Sequence, residues 1–420
     1  MVSACRCSLF STSGGRLLYF PLCLAALLLN GCATPQPVAA PTRGAEPLLR
    51  IGLVVEEPSV RIRGQGRVSI RGSGRSNLEP EEEVTITASS GGLLLNGQGA
   101  AAQRLTFQSQ EANRHLLVNG RAYRGAVEVL SNGSTLTAVN VIGTEAYLRG
   151  VIGVEMGRRQ PNEFAALEAQ AIASRTYALK NRGRFRSSGF DLRAGVQDQA
   201  YLGVSRETEL GSRAVQRTAG LVVTYRGDLI AAFFHSTCGY STASPDEVFR
   251  TVRAVPYLRP VSDRRPSTGY YCDISPRFRW TVSWDGNELR DILRRTIPSV
   301  LGIDAELLEG FRGLRIHGLG PSRRVTELRF EVASGEIPVF GPDLRRVLLK
   351  PDNSPLGSTA FEASHETRDG GAVAARISGA GWGHGVGMCQ WGAIGRARAG
   401  QTANQILTTY YPGTRIERSY

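Results

Sequence analysis

From Leu49 to Val141, hydrophobic and polar residues alternate in short runs such as Val60–Ile62, Val68–Ile70, Val84–Ala88 and Ala126–Leu130. Gly, Asn and Ser separate the runs. A period of two, broken by turn formers, predicts a succession of strands with one buried face each. Thr135 to Ile142 predicts a further strand. The period then lengthens. Gly143-Thr144 caps a short helix that turns Leu148, Val151 and Ile152 inward and leads directly into Gly153-Val154-Glu155-Met156.

After Pro161-Asn162 comes the clearest helical pattern, ending near Arg182-Gly183. Phe164, Leu167, Ala171 and Ala178 mark its apolar face, and Gln170, Arg175 and Tyr177 are polar or amphipathic positions on it. A second helix is predicted from about Glu207 to Thr218. A hairpin follows, Leu221–Tyr225 and Leu229–Phe234 around Arg226-Gly227-Asp228, with the second strand ending in His235-Ser236-Thr237-Cys238-Gly239. Residues from about Pro276 to Ala375 mix strands with a helix near Leu289–Leu301. The chain closes with a helix after Met388 and another opened by Thr402, where Gln405 completes a capping box. Strands and helices in blocks predict an α+β fold, a mixed β-sheet core with flanking helices. The parts expected are 49–140, rich in strands, 141–275, and 276–420.

The first residues change the picture of where the chain works. Arg6 and Arg16 precede an apolar run from Leu17 to Leu29, too short for the roughly 20 residues of a membrane span but suited to a signal-peptide core. Leu29-Asn30-Gly31-Cys32 resembles a bacterial lipobox. It predicts a lipoprotein-type signal over 1–31 with Cys32 as the lipidated residue, an ordinary cleaved signal being the alternative. A Pro- and Ala-rich stretch makes 32–48 a tether. The expected place is the cell envelope, with a membrane contact through the lipid.

The net charge of +13 is almost all arginine, for Lys180 and Lys350 are the only lysines. Nucleic acid is a poor partner for this pattern: the arginines are scattered, form no helical stripe and are not interleaved with aromatics. An extracellular polyanion fits better, since guanidinium binds carboxylates in a planar fork. Beyond the signal and Cys32, the cysteines are Cys238, Cys272 and Cys389. Two readings stay open: a Cys238–Cys272 disulfide, or a metal held by His235, Cys238 and Cys272, with His235 and Cys238 in an H-x-x-C pair.

Gly379 to Ala393 reads GAGWGHGVGMCQWGA. Glycine at every second position fits neither a dinucleotide fingerprint nor a phosphate loop. Trp382, Val386, Met388 and Trp391 give the segment apolar groups to bury, so it reads as a loop lining a cleft. His384 is either a satisfied structural residue or a ligand contact. His115, His317 and His365 sit in no motif and read as structural or solvated.

Six ordered blocks resemble the SpoIID/LytB family, the stage II sporulation protein D type of cell-wall proteins and the amidase enhancers. They are YLRGVIGVEM (Tyr147–Met156), AQAIASRTYAL (Ala169–Leu179), FHSTCG (Phe234–Gly239), VPYLRPV (Val255–Val261), GWGHGVGMCQWGA (Gly381–Ala393) and ILTTYYPGT (Ile406–Thr414). Nothing before Tyr147 matches a block. The resemblance implies a lytic transglycosylase that cuts peptidoglycan glycan strands, preferably those stripped of stem peptides, with Glu155 as general acid and base. It implies a long glycan-binding groove lined by Arg175, Tyr177, His235, Ser236, His384 and Gln390. Arg175, and next Arg149, would read the lactyl carboxylate that peptide removal exposes; Trp382 and Trp391 would stack on sugar faces or pack in the core. No cofactor is required, although some members hold a structural zinc through Cys and His. The family's other role is a non-catalytic, wall-binding enhancer of an N-acetylmuramoyl-L-alanine amidase. The chain departs from the common pattern at Tyr240, Cys389 and Trp391.

Overall fold

The alternating segments before residue 143 pair into two sheets. One has seven strands in the order Leu192–Arg193, Leu48–Glu57, Leu136–Gly143, Ala126–Ser131, Arg104–Ser109, Val68–Arg71 and Asn77–Leu78. The other has six: Arg121–Tyr123, Leu116–Val118, Ser59–Gly64, Glu83–Ser89, Gly92–Leu95 and Gln98–Ala102. Register follows the alternation. Val60 lies opposite Ile86 and Ile62 opposite Val84, so the buried members of each strand meet as cross-strand pairs. The computed structural model describes residues 44–249, 252–368 and 371–420; the signal over 1–31, Cys32 and most of the 32–48 tether lie outside the described residues.

Three helices follow the last long strand: α1 (Thr144–Glu155), α2 (Phe164–Lys180) and α3 (Glu209–Arg217), with α1 and α3 both packed on α2. The helix expected before the Gly-Val-Glu-Met segment runs on through it, and Glu155 is its last residue. α2 differs from expectation in a second way. It has no single apolar face, for Ala166, Leu167, Ala169, Ala171, Ile172, Ala173 and Ala178 are all buried, as are Gln170, Ser174, Arg175 and Thr176. Small side chains let neighbours close in from every side. Two of the polar ones bond within the helix: Gln170 Nε2 donates to Ser174 Oγ (3.0 Å) and Thr176 Oγ1 to the Ile172 carbonyl (2.7 Å).

The expected hairpin is only half present. Leu221–Tyr225 pairs with Asp228–Leu229, but Phe234–His235 leaves that sheet and runs parallel to Met388–Cys389. Beyond residue 276 the chain is divided between two hydrophobic cores. Val282 to Ile377 builds its own, around the helix Gly286–Leu301 and two three-stranded sheets. Val386, Met388, Ala393, Ile406 and Tyr410 return to the core shared by the first sheets and α1–α3. Strands and helices in separate blocks make the molecule α+β. Among the described residues, no helix is long and apolar enough to cross a membrane.

Candidate active site

Three distant segments converge on a cleft of about 720 Å³. The C-terminal end of α1 supplies Val154, Glu155 and Met156, the Phe233–Ser236 stretch forms one wall, and Trp382–His384 with Gln390 and Trp391 forms another. Gln390 opens the helix Gln390–Arg398, whose cap is Cys389. A fourth element, the loop through Gln197, Asp198 and Ala200, closes the remaining side.

Glu155 sits on the cleft wall, held by two donors and by no cation within ion-pair distance among the described residues. The Ala200 N–H donates to its Oε1 (3.0 Å) and Gln390 Nε2 to its Oε2 (3.1 Å). Burial pushes its carboxyl above the ordinary value, and the two hydrogen bonds draw it only part of the way back. Val154 and Met156 give it apolar surroundings in the cleft, while Val151 and Ile152 turn inward to the core behind the helix, as read from the sequence.

Tyr177 and Ser236 line the cleft as the motif positions suggest. The Tyr177 hydroxyl donates to Asp198 Oδ1 (3.1 Å), and Asp198 also accepts from Arg184 (2.8 Å) and from the Arg193 N–H (2.9 Å). Asp198 is a second carboxylate in the cleft that sequence reading missed. It lies in an irregular loop with no periodicity to mark it, and its identity as a lining residue comes only from where α2 ends.

The two histidines of the blocks are spent on backbone. His384 Nδ1 accepts the Val386 N–H (3.0 Å), which leaves Nε2 to donate to the Phe234 carbonyl (2.9 Å). Both ring nitrogens are therefore committed, and the expected hydrogen bond from His384 to a sugar is replaced by a structural role. His235 donates from Nδ1 to the Val386 carbonyl (3.2 Å), and its buried Nε2 has no partner. Burial pushes both imidazoles down to about 3, aided at His235 by the Arg324 charge and at His384 by His235.

Arg175 is a correction. It is fully buried in α2, outside the cleft, where Nε and Nη2 clasp Glu145 (2.8 and 2.6 Å) and Nη1 donates to the Leu221 carbonyl (3.0 Å). Its fork is saturated by a carboxylate of its own chain. Arg149 is not among the lining residues either. The cations at the cleft are Arg159, over Trp391 at 5.2 Å, and Arg277, over Trp382 at 4.5 Å. Both tryptophans are half-buried with a face toward these cations. The cysteines also differ from expectation. Cys238 and Cys272 are not bonded, with sulfurs 3.6 Å apart, and the side chain grouped with them is Cys389 rather than His235.

A family profile described as Stage II sporulation protein matches residues 132–225, and a domain of unknown function (DUF8618) matches 259–387. The chain is 31% identical over 345 residues to an uncharacterized protein of Brachyspira hyodysenteriae, covering 80% of this chain and 82% of that one. It is 30% identical over 307 residues to the Stage II sporulation protein D of Bacillus amyloliquefaciens, covering 67% and 76%. With the Amidase enhancer of Bacillus subtilis it shares 28% over 295 residues, 64% of this chain but 40% of that longer protein.

Proposed function

The chain belongs to the SpoIID/LytB family, and on that premise we propose that it remodels peptidoglycan as a lytic transglycosylase, with Glu155 as general acid and base. One observation carries this reading: a carboxyl raised by burial, unpaired with any described cation, on the wall of an apolar cleft. Such a group holds a proton at a pH where an exposed glutamate does not, and can deliver it to a glycosidic oxygen.

The chemistry closes with the substrate's own groups. Glu155 protonates the leaving oxygen as the bond from muramic C1 breaks. The resulting carboxylate then takes the proton from the 6-hydroxyl of the same sugar, whose oxygen forms the new bond to C1. A 1,6-anhydro end results, Glu155 regains its proton, and no second catalytic carboxylate is consumed. Asp198 positions instead: it fixes the Tyr177 hydroxyl and the loop that presents the Ala200 N–H. Gln390 fixes the other carboxyl oxygen.

Preference for peptide-stripped strands is carried by the cleft cations. Arg159 and Arg277 take the part that Arg175 cannot, offering guanidiniums to free lactyl carboxylates, while Trp382 and Trp391 offer flat faces to the sugars. The protein works in the envelope, exported and tethered through Cys32. The test is incubation of the mature chain with glycan strands before and after amidase treatment, followed by a search for 1,6-anhydromuramic ends. Such ends from the treated strands, absent with Glu155→Gln, are expected. The likeness to the Amidase enhancer favours a second reading, a wall-bound activator of an N-acetylmuramoyl-L-alanine amidase. Unaltered strands together with faster amidase turnover would decide for it.

A further inference from the structure

The seven-stranded sheet has the short strand Leu192–Arg193 at its edge, and a second hollow, of about 610 Å³, opens beside it. It shares no lining residue with the cleft. Arg50, Arg104, Arg182 and Arg186 converge on it from three separate stretches of chain. We infer that this hollow binds the phosphate group of an anionic phospholipid, so that the folded body, and not only the lipid proposed at Cys32, contacts the membrane.

The cations outnumber their partners. Arg50 is held in place, its Nε donating to the Gly189 carbonyl (2.7 Å) and its Nη2 to Glu128 (2.8 Å). Arg104 shares the same carboxylate at 3.7 Å. Asp191 is occupied by backbone: its two oxygens accept the N–H groups of Arg50 and Gly183, each at 2.8 Å. Arg182 and Arg186 are exposed, and their side chains make no hydrogen bond or ion pair among the described residues. Four guanidiniums therefore face two carboxylates. Charge left over in this way attracts an anion, and guanidinium forks fit the oxygens of a phosphate.

Local sequence explains the convergence. α2 ends at Lys180, and the turns that follow read Asn181-Arg182-Gly183-Arg184-Phe185-Arg186. Alternation sends Arg184 to Asp198 of the cleft loop (2.8 Å), and Arg182 and Arg186 to the hollow. Gly189 then turns the chain with φ +82°, and a Cβ there would lie 2.4 Å from Leu130 Cδ1. The carbonyl that orients Arg50 therefore sits in a turn that needs glycine.

The lining favours lipid over sugar. Among the described residues no tryptophan or tyrosine lines the hollow, and Phe190, 1% exposed, stacks on Phe185 at 5.0 Å. No ring is free to meet a sugar face. What the hollow offers instead is aliphatic: half-buried Val141 on its wall and Leu48 at its rim, 56% exposed. Cations beside an aliphatic patch match a phosphate joined to glycerol and acyl carbon. Leu48 is also where the tether read over 32–48 joins the first strand, Leu48–Glu57. A tether of that length spans at most about 60 Å, which keeps this face within reach of a lipid at Cys32.

The inference takes only the place of the anchor from the envelope reading and nothing from the transglycosylase, since vesicle binding is measured without glycan. The mature chain is made with Cys32→Ser, so that no acyl chain is attached. It is sedimented with vesicles of phosphatidylcholine alone, or of two parts phosphatidylcholine to one of phosphatidylglycerol. Binding to the mixed vesicles and not to the neutral ones is expected, and it should weaken with added salt. Arg182→Gln combined with Arg186→Gln should reduce it about 10- to 30-fold, as loss of two basic side chains at an anionic surface does. Arg277→Ala, at the cleft, should leave it unchanged. The double variant should match wild type in its urea midpoint and in its action on peptide-stripped strands. Equal binding to both kinds of vesicle, or a double variant that binds them like wild type, overturns the inference. So does a double variant that loses peptide-stripped glycan rather than vesicles, which would make the hollow a second glycan site. Calorimetric binding of inorganic phosphate without any binding of vesicles would assign the hollow to the free ion, and overturns it too.

Discussion

Glu155 and His235 are shifted in opposite directions by the same cause, removal from water, and their pH signatures are therefore opposite. A carboxyl raised by the fold takes up a proton on folding. Its contribution to stability is intact below the ordinary value of 4.5 and lost as pH rises through the raised one. Glu155→Gln, always neutral, should therefore melt above wild type at pH 7, with the gap closing below pH 4.5 in calorimetric scans. Its cleavage rate should fall by about a hundredfold or more. Gln390 favours the ionised carboxyl, so Gln390→Leu should move the alkaline limb of kcat/KM to higher pH; a limb that stays put would mean the contact does not reach the acid. His235, pushed from 6.5 to about 3, contributes fully above pH 6.5 and loses that contribution as pH falls toward 3. The slope is at most about 1.4 kcal/mol per pH unit. Urea midpoints at pH 7, 6 and 5 should show it, and His235→Asn should flatten it. Glu155 was legible because a short motif names it, and Gln390 because it follows one. Arg175 was misread for a physical reason: on a helix of small residues, composition does not tell a buried face from an exposed one, and its partner Glu145 lies 30 residues away.

Helices were the most legible elements, since caps and apolar spacing are local signals. The helix opened by Thr402 with Gln405 as its reciprocal cap is present as read. Strands whose partners are remote were the least legible. Phe234–His235 was read into a hairpin with its sequence neighbours, but its parallel partner is Met388–Cys389, and nothing within a few residues announces that pairing. The glycine block changes meaning at this scale as well. Gly387 has φ +74°, and a Cβ there would lie 1.9 Å from the Phe233 carbonyl oxygen, so it serves the joint between the two segments rather than the approach of a sugar. Gly387→Ala should cost more than about 2 kcal/mol, as left-handed strain adds to a clash with backbone. Gly400, with φ +82° and open space around it, is the control. Gly400→Ala should cost only about 1 kcal/mol by urea unfolding. Equal losses would refute the role given to the joint.

At the scale of the molecule, the separate core built by residues 282–377 had no sequence signature, because an inserted core looks like any other mixture of strands and helices. The arginine excess was visible, but not its use. Much of it is consumed in pairs such as Arg50–Glu128, Arg124–Glu207 and Arg398–Glu163, while Arg277 has no ion pair among the described residues. With Arg159 and Lys350 it places positive charge around the two cleft tryptophans. Binding of peptide-stripped glycan should therefore weaken with added salt, and Arg277→Ala should lose about two- to five-fold, as exposed ion pairs do. A neutral chitooligosaccharide should show neither effect in the same titration.

Gln390 meets Glu155 across 235 positions of chain, and the Cys238 N–H meets the Cys389 sulfur across 151. Loops of that length close slowly and late. A chain that emerges from its N-terminal side first presents Glu155 well before the amide that aims it, so the cleft is completed only when residue 390 has joined the fold.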